Sequence, residues 1–158
     1  MTAVGHRCST PWATSQRRNL SIEDLDDVLE IENQSFSEPW SKDQLACAIG
    51  DQSAICIGLR LDGQLIGYTI GYLEAATFHL ATLAIVRSQR GRGRGSNLLC
   101  EVLQHASELG CDRCTLEVRG LNQEARRLYG RHGFTAAEIR RDYYQNPRDH
   151  AVLMSRSL

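Results

Sequence analysis

The spacing of apolar residues changes character twice along the chain. Ile22, Leu25, Val28 and Leu29, followed by Glu32, recur at helical intervals and predict a helix with one apolar face. Ser21 with Glu23 and Asp24 reads as its start, because a hydroxyl can cap free N–H groups and acids suit the positive helix end. Phe36-Ser37-Glu38-Pro39-Trp40 breaks the period. Ser41 then opens a second helix, with Gln44 as the reciprocal partner of a capping box.

From residue 54 the pattern becomes strand-like. Residues 54–61 (AICIGLRL), 65–73 (LIGYTIGYL) and 78–86 (FHLATLAIV) read as three strands. Asp62-Gly63 is a hairpin turn signal, and the glycines of the second strand predict bends or a close backbone neighbour. Short connections predict an antiparallel meander. After residue 86 strands and helices alternate. Leu98, Leu99, Val102, Leu103, Ala106 and Leu109 form one broad helical face, closed by Gly110. Residues 114–118 (CTLEV) read as a strand, and a helix from about Asn122 to His132 ends at Gly133. Phe134 begins another strand and residues 151–155 begin the last. An edge strand is expected over about 14–20, and residues 1–13, which contain Pro11, read as a loose tail. The expected order is βααβββαβαββ. It describes one α/β (α+β mixed) domain over 19–158, with a mixed, mostly antiparallel sheet flanked by helices. Residues 1–18 are a flexible tail or the first edge strand.

Composition narrows the function classes. The 158 residues are 42% hydrophobic and 23% charged, with net charge -1, which excludes a wholly disordered, collagenous or polybasic chain. No run approaches the length of a membrane-spanning helix, and the N-terminus lacks the apolar run of a secretory signal. Six cysteines in a chain of this length read as reduced thiols in a cytoplasmic protein. The near-zero charge hides an asymmetry. Residues 21–62 hold ten acids and two bases, whereas residues 87–158 hold thirteen bases and eight acids. The basic half needs a reason, and an anionic ligand is one candidate.

Arg90-Gly91-Arg92-Gly93-Arg94-Gly95 joins a strand to a helix and is the place for such a ligand. Glycines let several backbone N–H groups turn inward, and the helix start adds its own N–H groups and positive end. This suits a pyrophosphate. The third glycine comes one residue too early for the dinucleotide-binding pattern, and no lysine stands where a nucleotide-hydrolase loop needs one. An RNA-binding Arg-Gly tract and a purely structural loop remain alternatives from these residues alone.

Arg90, Gly93 and Gly95 fill the fixed positions of [QR]-x-x-G-x-[GA], and the segment therefore resembles the acetyl-coenzyme A loop of the GNAT N-acetyltransferases. The L-E-V-R-x-x-N element at 116–122 and A-x-x-L-Y-x-x-x-G-F at 125–134 resemble the bacterial ribosomal-protein alanine N-acetyltransferases of that superfamily. FSEPWS at 36–41 and IRRDYY at 139–144 extend the likeness, which covers about residues 20–156. The family often carries proline and an aromatic before the loop, where this chain has Arg87 and Gln89.

The resemblance implies a single GNAT-like domain and acetyl-CoA as cosubstrate, with no metal. By matching position, Glu117 is the general base and Tyr129 the general acid that protonates the leaving thiolate. Arg90, Gly91, Arg92, Gly93, Arg94, Gly95 and Ser96 form the pyrophosphate cradle, and Asn122 holds the pantetheine side. Leu83, Ala84 and Ile85 offer backbone groups to pantetheine and the thioester oxygen, provided their strand splays from the one at 114–118. The implied partner is a protein N-terminus, foremost the N-terminal alanine of the eighteenth small-subunit ribosomal protein. No nucleic acid or membrane partner is expected, and monomer and weak dimer stay equally open.

The acceptor side is drawn from Phe36, Trp40, His79, Tyr143 and Tyr144, with Glu38 or Asp43 favouring basic substrate positions. Trp40 can equally anchor the core, His79 can be a satisfied structural histidine, and Glu117 and Tyr129 can be a salt-bridge partner and a packing ring. An α-amine, with a pKa of roughly 7.7–8.0, is more easily made nucleophilic than a lysine near roughly 10.4. Cys111 and Cys114 form a C-x-x-C pair that enters a strand and lacks two further spaced ligands, against zinc or redox use. The remaining alternatives are a GNAT enzyme acting on a small amine or another N-terminus, and a non-catalytic CoA-binding module.

Overall fold

The computed structural model describes residues 15–158. The expected tail at 1–13 lies outside the described residues. The elements run β1 (Ser15–Asn19), α1 (Leu25–Ser35), α2 (Lys42–Gly50), β2 (Ala54–Leu61), β3 (Gln64–Glu74), β4 (Thr77–Ile85), α3 (Arg94–Glu108), β5 (Arg113–Arg119), α4 (Gln123–Arg131), β6 (Thr135–Gln145) and β7 (Arg148–Ser157). This is the order read from the sequence. The seven strands form one sheet ordered β1-β2-β3-β4-β5-β7-β6. Every neighbouring pair is antiparallel except β4–β5.

Local chemistry accounts for the boundaries. Asp62 and Gly63 both have positive φ, 50° and 82°, the backbone of the tight turn that their sequence calls for. Ser41 accepts from Gln44 N at 3.2 Å while Gln44 Oε1 accepts from Ser41 N at 2.8 Å, closing the expected capping box. The first helix starts later than its period suggests. Residues 22–24 are a 3-10 turn, in which Asp24 accepts from Ser21 N at 2.9 Å, and Ile22 is exposed rather than core-facing. Leu109 is likewise exposed, because α3 ends at Glu108 and its cap turns away.

The two faces of the sheet carry separate cores. Ile55, Ile57 and Leu59 of β2, Phe78 and Leu80 of β4, and the buried side of α3 make one. Cys56 of β2, Tyr68 and Ile70 of β3, and Val28, Ile31 and Leu45 of α1 and α2 make the other. Fully buried aliphatic side chains such as Leu98 and Leu99 each contribute about 1.5–3 kcal/mol. The glycines of β3 serve close packing, as their positions suggested. A methyl at Gly67 would sit 2.8 Å from Ala84 O, and one at Gly71 would sit 2.7 Å from His79 O.

Two irregularities position the site. Ile70 pairs with Thr82 and Gly71 with Leu80, so Ala81 is an extra residue in β4. β4 and β5 pair only from Thr77–Arg113 to Leu80–Leu116. Beyond that point β4 stays with β3 as far as Ile85, and β5 stays with β7 as far as Arg119. The two central parallel strands therefore part at the bulge.

Candidate active site

The parting of β4 and β5 leaves a groove of about 240 Å³. Leu83, Ala84 and Ile85 line it from β4, in the stretch that β5 no longer accompanies. The glycine loop closes one end. Gly91 and Gly93 have φ of 69° and 75°, a region that costs other residues strain. The glycine run is shorter as a loop than its sequence suggests. Asn97 N already bonds to Gly93 O at 3.0 Å, so Arg94, Gly95 and Ser96 form the first turn of α3. The N–H groups of that turn have no acceptor within the helix and can meet an anion.

The arginines of the loop divide their roles. Arg90 donates from Nε to Ile85 O at 2.8 Å and reaches Ser35 Oγ at 3.4 Å, so it braces the loop against β4 and α1. Arg94 is 9% exposed yet lies on the groove wall, as does Arg131. Arg92 is exposed and off that wall. Asn122 caps α4, its Oδ1 accepting from Ala125 N at 3.1 Å. Its amide NH2 is then the group able to face a ligand, because Asn122 also lines the groove.

Tyr129 lies on the opposite wall, on α4, packed edge-on against Phe134 at 5.7 Å. Burial, and then the nearby Cys114, push its hydroxyl far up, so it stays protonated at neutral pH. Glu117 lies on β5 just past the last β4 pair. Its carboxylate is half-covered and bonds to Arg140 Nη1 at 2.6 Å, across from β6. The Glu117 charge, followed by a hydrogen bond, raises the Tyr143 hydroxyl. The structure thus gives Glu117 an ion-pair partner and also brings it beside Tyr143, expected on the acceptor side.

The acceptor candidates do not form one wall. Phe36 and Trp40 both pack against the second core, and only Phe36 of the pair also borders the groove. His79 faces Thr115, with Nδ1 and Oγ1 at 3.0 Å across the last β4–β5 pairs, away from the groove lining. Tyr143 is exposed and stacks edge-on with Tyr144 at 5.1 Å. Glu38 is not available to a basic substrate in the way its charge suggested. Oε1 accepts from Asn146 N at 3.0 Å and Oε2 pairs with Arg119 at 3.3 Å. Asp43 is exposed in the first turn of α2.

Several residues escaped the sequence reading. Arg119 donates to Pro147 O at 2.9 Å and to Asn146 O at 3.1 Å, and its guanidinium lies 4.0 Å from the Tyr144 ring centre. With Glu38 it fastens the segment between α1 and α2 to the β6–β7 hairpin. Glu32, only 2% exposed, accepts from Trp40 N at 2.9 Å and from the Tyr68 hydroxyl. A carboxylate on the apolar face of a helix was its only signal. Ser96 Oγ meets His132 Nε2 at 2.6 Å, a contact between residues 36 apart that no local pattern announces. Cys111 and Cys114 are buried, and burial pushes the Cys114 thiol up to about 12, so it is a packing residue.

The acetyltransferase (GNAT) family profile matches residues 25–134. A putative ribosomal protein bS18-alanine N-acetyltransferase of Bacillus subtilis is 32% identical over 138 residues, covering 87% of this chain and 91% of the relative. The crystal structure of the ribosomal-protein-S18-alanine N-acetyltransferase from Escherichia coli superposes with a TM-score of 0.85 at 26% identity, covering 90% of this chain and 93% of that one. Arabidopsis thaliana NAA60, solved in complex with acetyl-CoA, shares the fold with a TM-score of 0.82 at 19% identity, over 92% of this chain and 99% of that one.

Proposed function

The chain belongs to the acetyltransferase (GNAT) family and is an N-acetyltransferase of that type, and from this premise we propose that it acetylates protein N-terminal α-amines in the cytoplasm, with the N-terminal alanine of ribosomal protein bS18 as its acceptor. The observation that carries the reading is the parted β4–β5 pair. It gives one groove a glycine-rich anion end and a protonated tyrosine, with a carboxylate on the neighbouring strand.

The residues present fit acetyl-CoA. The first-turn N–H groups of α3, with Arg94 and Arg131, would hold the pyrophosphate, and the unaccompanied edge of Leu83–Ile85 would pair with pantetheine. Bound there, acetyl-CoA supplies an activated acyl carbon. Glu117 accepts a proton from the incoming ammonium, directly or through water, so that the amine nitrogen can bond to that carbon. Tyr129 would give its hydroxyl proton to the sulfur as the carbon–sulfur bond breaks, and the second proton lost from the nitrogen as the amide forms would restore the neutral Tyr129. Backbone N–H groups near Leu83–Ile85 would stabilise the carbonyl oxygen. Both substrates are bound together, with no acetyl-enzyme. Tyr143, Tyr144 and Phe36 would flank the acceptor chain end, fastened by Arg119 and Glu38. Trp40 would support this region from the core and His79 from the neighbouring strands.

The test is mass spectrometry of Ala- and Ser-initiated ribosomal peptides incubated with enzyme and acetyl-CoA. Acetyl on the α-amine is expected; acetyl only on lysine or on small amines overturns the acceptor assignment. Glu117→Gln and Tyr129→Phe should each lower kcat more than affinity for CoA. Full kcat in both near neutral pH would remove the assigned roles.

A further inference from the structure

We propose that His132 is a positioning residue for the phosphate end of the groove, orienting the Ser96 hydroxyl so that its proton points at the bound anion. The inference rests on the CoA-binding reading above and concerns residues that reading does not explain.

Ser96 stands in the first turn of α3 and lines the groove. Cys100 follows one turn later on the same face. Between them and the end of α4 lies one imidazole. His132 Nε2 is 2.6 Å from Ser96 Oγ, and Nδ1 is 3.6 Å from Cys100 Sγ. The backbone of His132 is fixed from both sides. Its N–H reaches Tyr129 O at 3.0 Å, and its carbonyl accepts from Arg156 at 2.6 Å. The ring therefore links the loop-bearing helix to the helix that carries Tyr129.

Burial, then Arg156 and Arg131, lower the His132 pKa, so the ring is neutral near pH 7. A neutral imidazole has one donor and one acceptor, which leaves two consistent hydrogen-bond chains. In one, Ser96 O–H donates to Nε2 and Nδ1–H donates to the sulfur. In the other, the Cys100 thiol donates to Nδ1, Nε2–H donates to Ser96 Oγ, and the serine proton is free to leave the chain. A phosphate offers acceptors only. It selects the second chain, in which Ser96 adds a charge-assisted O–H bond to the N–H groups of its own turn.

The experiment combines CoA titration by calorimetry with ring 15N NMR of the full chain. His132→Leu should weaken CoA roughly tenfold, the scale of one hydrogen bond to a charged group. His132→Gln keeps a donor near the Nε2 position and should recover most of the affinity. Ser96→Ala/His132→Leu should bind no more weakly than Ser96→Ala. In the wild type, saturating CoA should leave the proton on Nε2. The NMR arm holds even if His132→Leu fails to fold. A ring that keeps its proton on Nδ1 under saturating CoA, or a folded His132→Leu that binds CoA like the wild type, overturns the relay alone. A wild type that does not bind CoA overturns the cofactor reading and the relay with it.

Discussion

Replacing Glu32 by alanine should destabilise the protein and loosen the segment that leads to Trp40. The carboxylate is 2% exposed and holds two donors, Trp40 N–H at 2.9 Å and the Tyr68 hydroxyl. Tyr68 is fully buried, and the Thr82 side chain is the other hydrogen-bonding group beside its hydroxyl. Each buried donor left without a partner costs about 1–3 kcal/mol. Removing the carboxylate also relieves its own desolvation, and the truncation opens a small cavity with the opposite sign. The net expectation is a loss of about 2–5 kcal/mol. Glu32→Gln is the informative companion. Its carbonyl oxygen can still accept from Trp40 N–H, and its NH2 can donate to the Tyr68 oxygen, so the loss should be about 1 kcal/mol. Urea unfolding at pH 7 measures both, with unchanged m as the condition for comparing them. If Glu32→Gln loses as much as Glu32→Ala, charge rather than hydrogen bonding holds this site. If Glu32→Ala loses under about 1 kcal/mol, the buried contacts contribute no net stability and the reasoning is wrong.

Gly71→Ala should cost about 1–3 kcal/mol, because a methyl there meets Phe78 Cε2 at 2.5 Å and the His79 carbonyl at 2.7 Å; thermal unfolding that matches the wild type would refute the close approach. Burial raises the Asp24 pKa, but the Ser21 N–H, Arg60 and Arg18 outweigh it and bring it below the ordinary 3.8. Its contribution is therefore fully present above pH 3.8 and fades as pH falls through the lower folded value. The stability gap between wild type and Asp24→Asn should narrow only in that acid range, and a gap that closes between pH 7 and 5 would contradict the assignment. Arg119→Gln removes the link between Glu38 and the β6–β7 hairpin. The peptide KM should rise roughly tenfold, the scale of one lost charged hydrogen bond, with the acetyl-CoA KM unchanged. Equal shifts in both constants would show that Arg119 does not act on the acceptor side.

What was legible in the sequence was local. The strands at 54–61, 65–73 and 78–86, the capping box at Ser41 and Gln44, and the Asp62-Gly63 turn all depend on neighbours within a few residues. The glycine loop was legible for the same reason, since positive φ at Gly91 and Gly93 is a demand of the backbone itself. Its boundary was not. Arg94 and Gly95 look like loop by composition and fold as helix, because the long apolar face behind them draws α3 back to Arg94. Ile22 illustrates the opposite failure. It fits the helical period yet is exposed, because a 3-10 turn has three residues per turn and rotates it off the buried face.

The chain by itself determined the order of elements, because periodicity and turn chemistry are read along the backbone, and it carried the motifs through which it resembles the GNAT family. The tertiary structure decided which of those residues meet. One extra residue at Ala81 and the end of pairing at Leu80–Leu116 open the groove between β4 and β5. Folding also carries Glu117 to Arg140, Arg119 to Glu38 and Ser96 to His132. Those contacts join segments far apart in the chain, and their geometry follows from sheet register and helix packing, which no local pattern specifies.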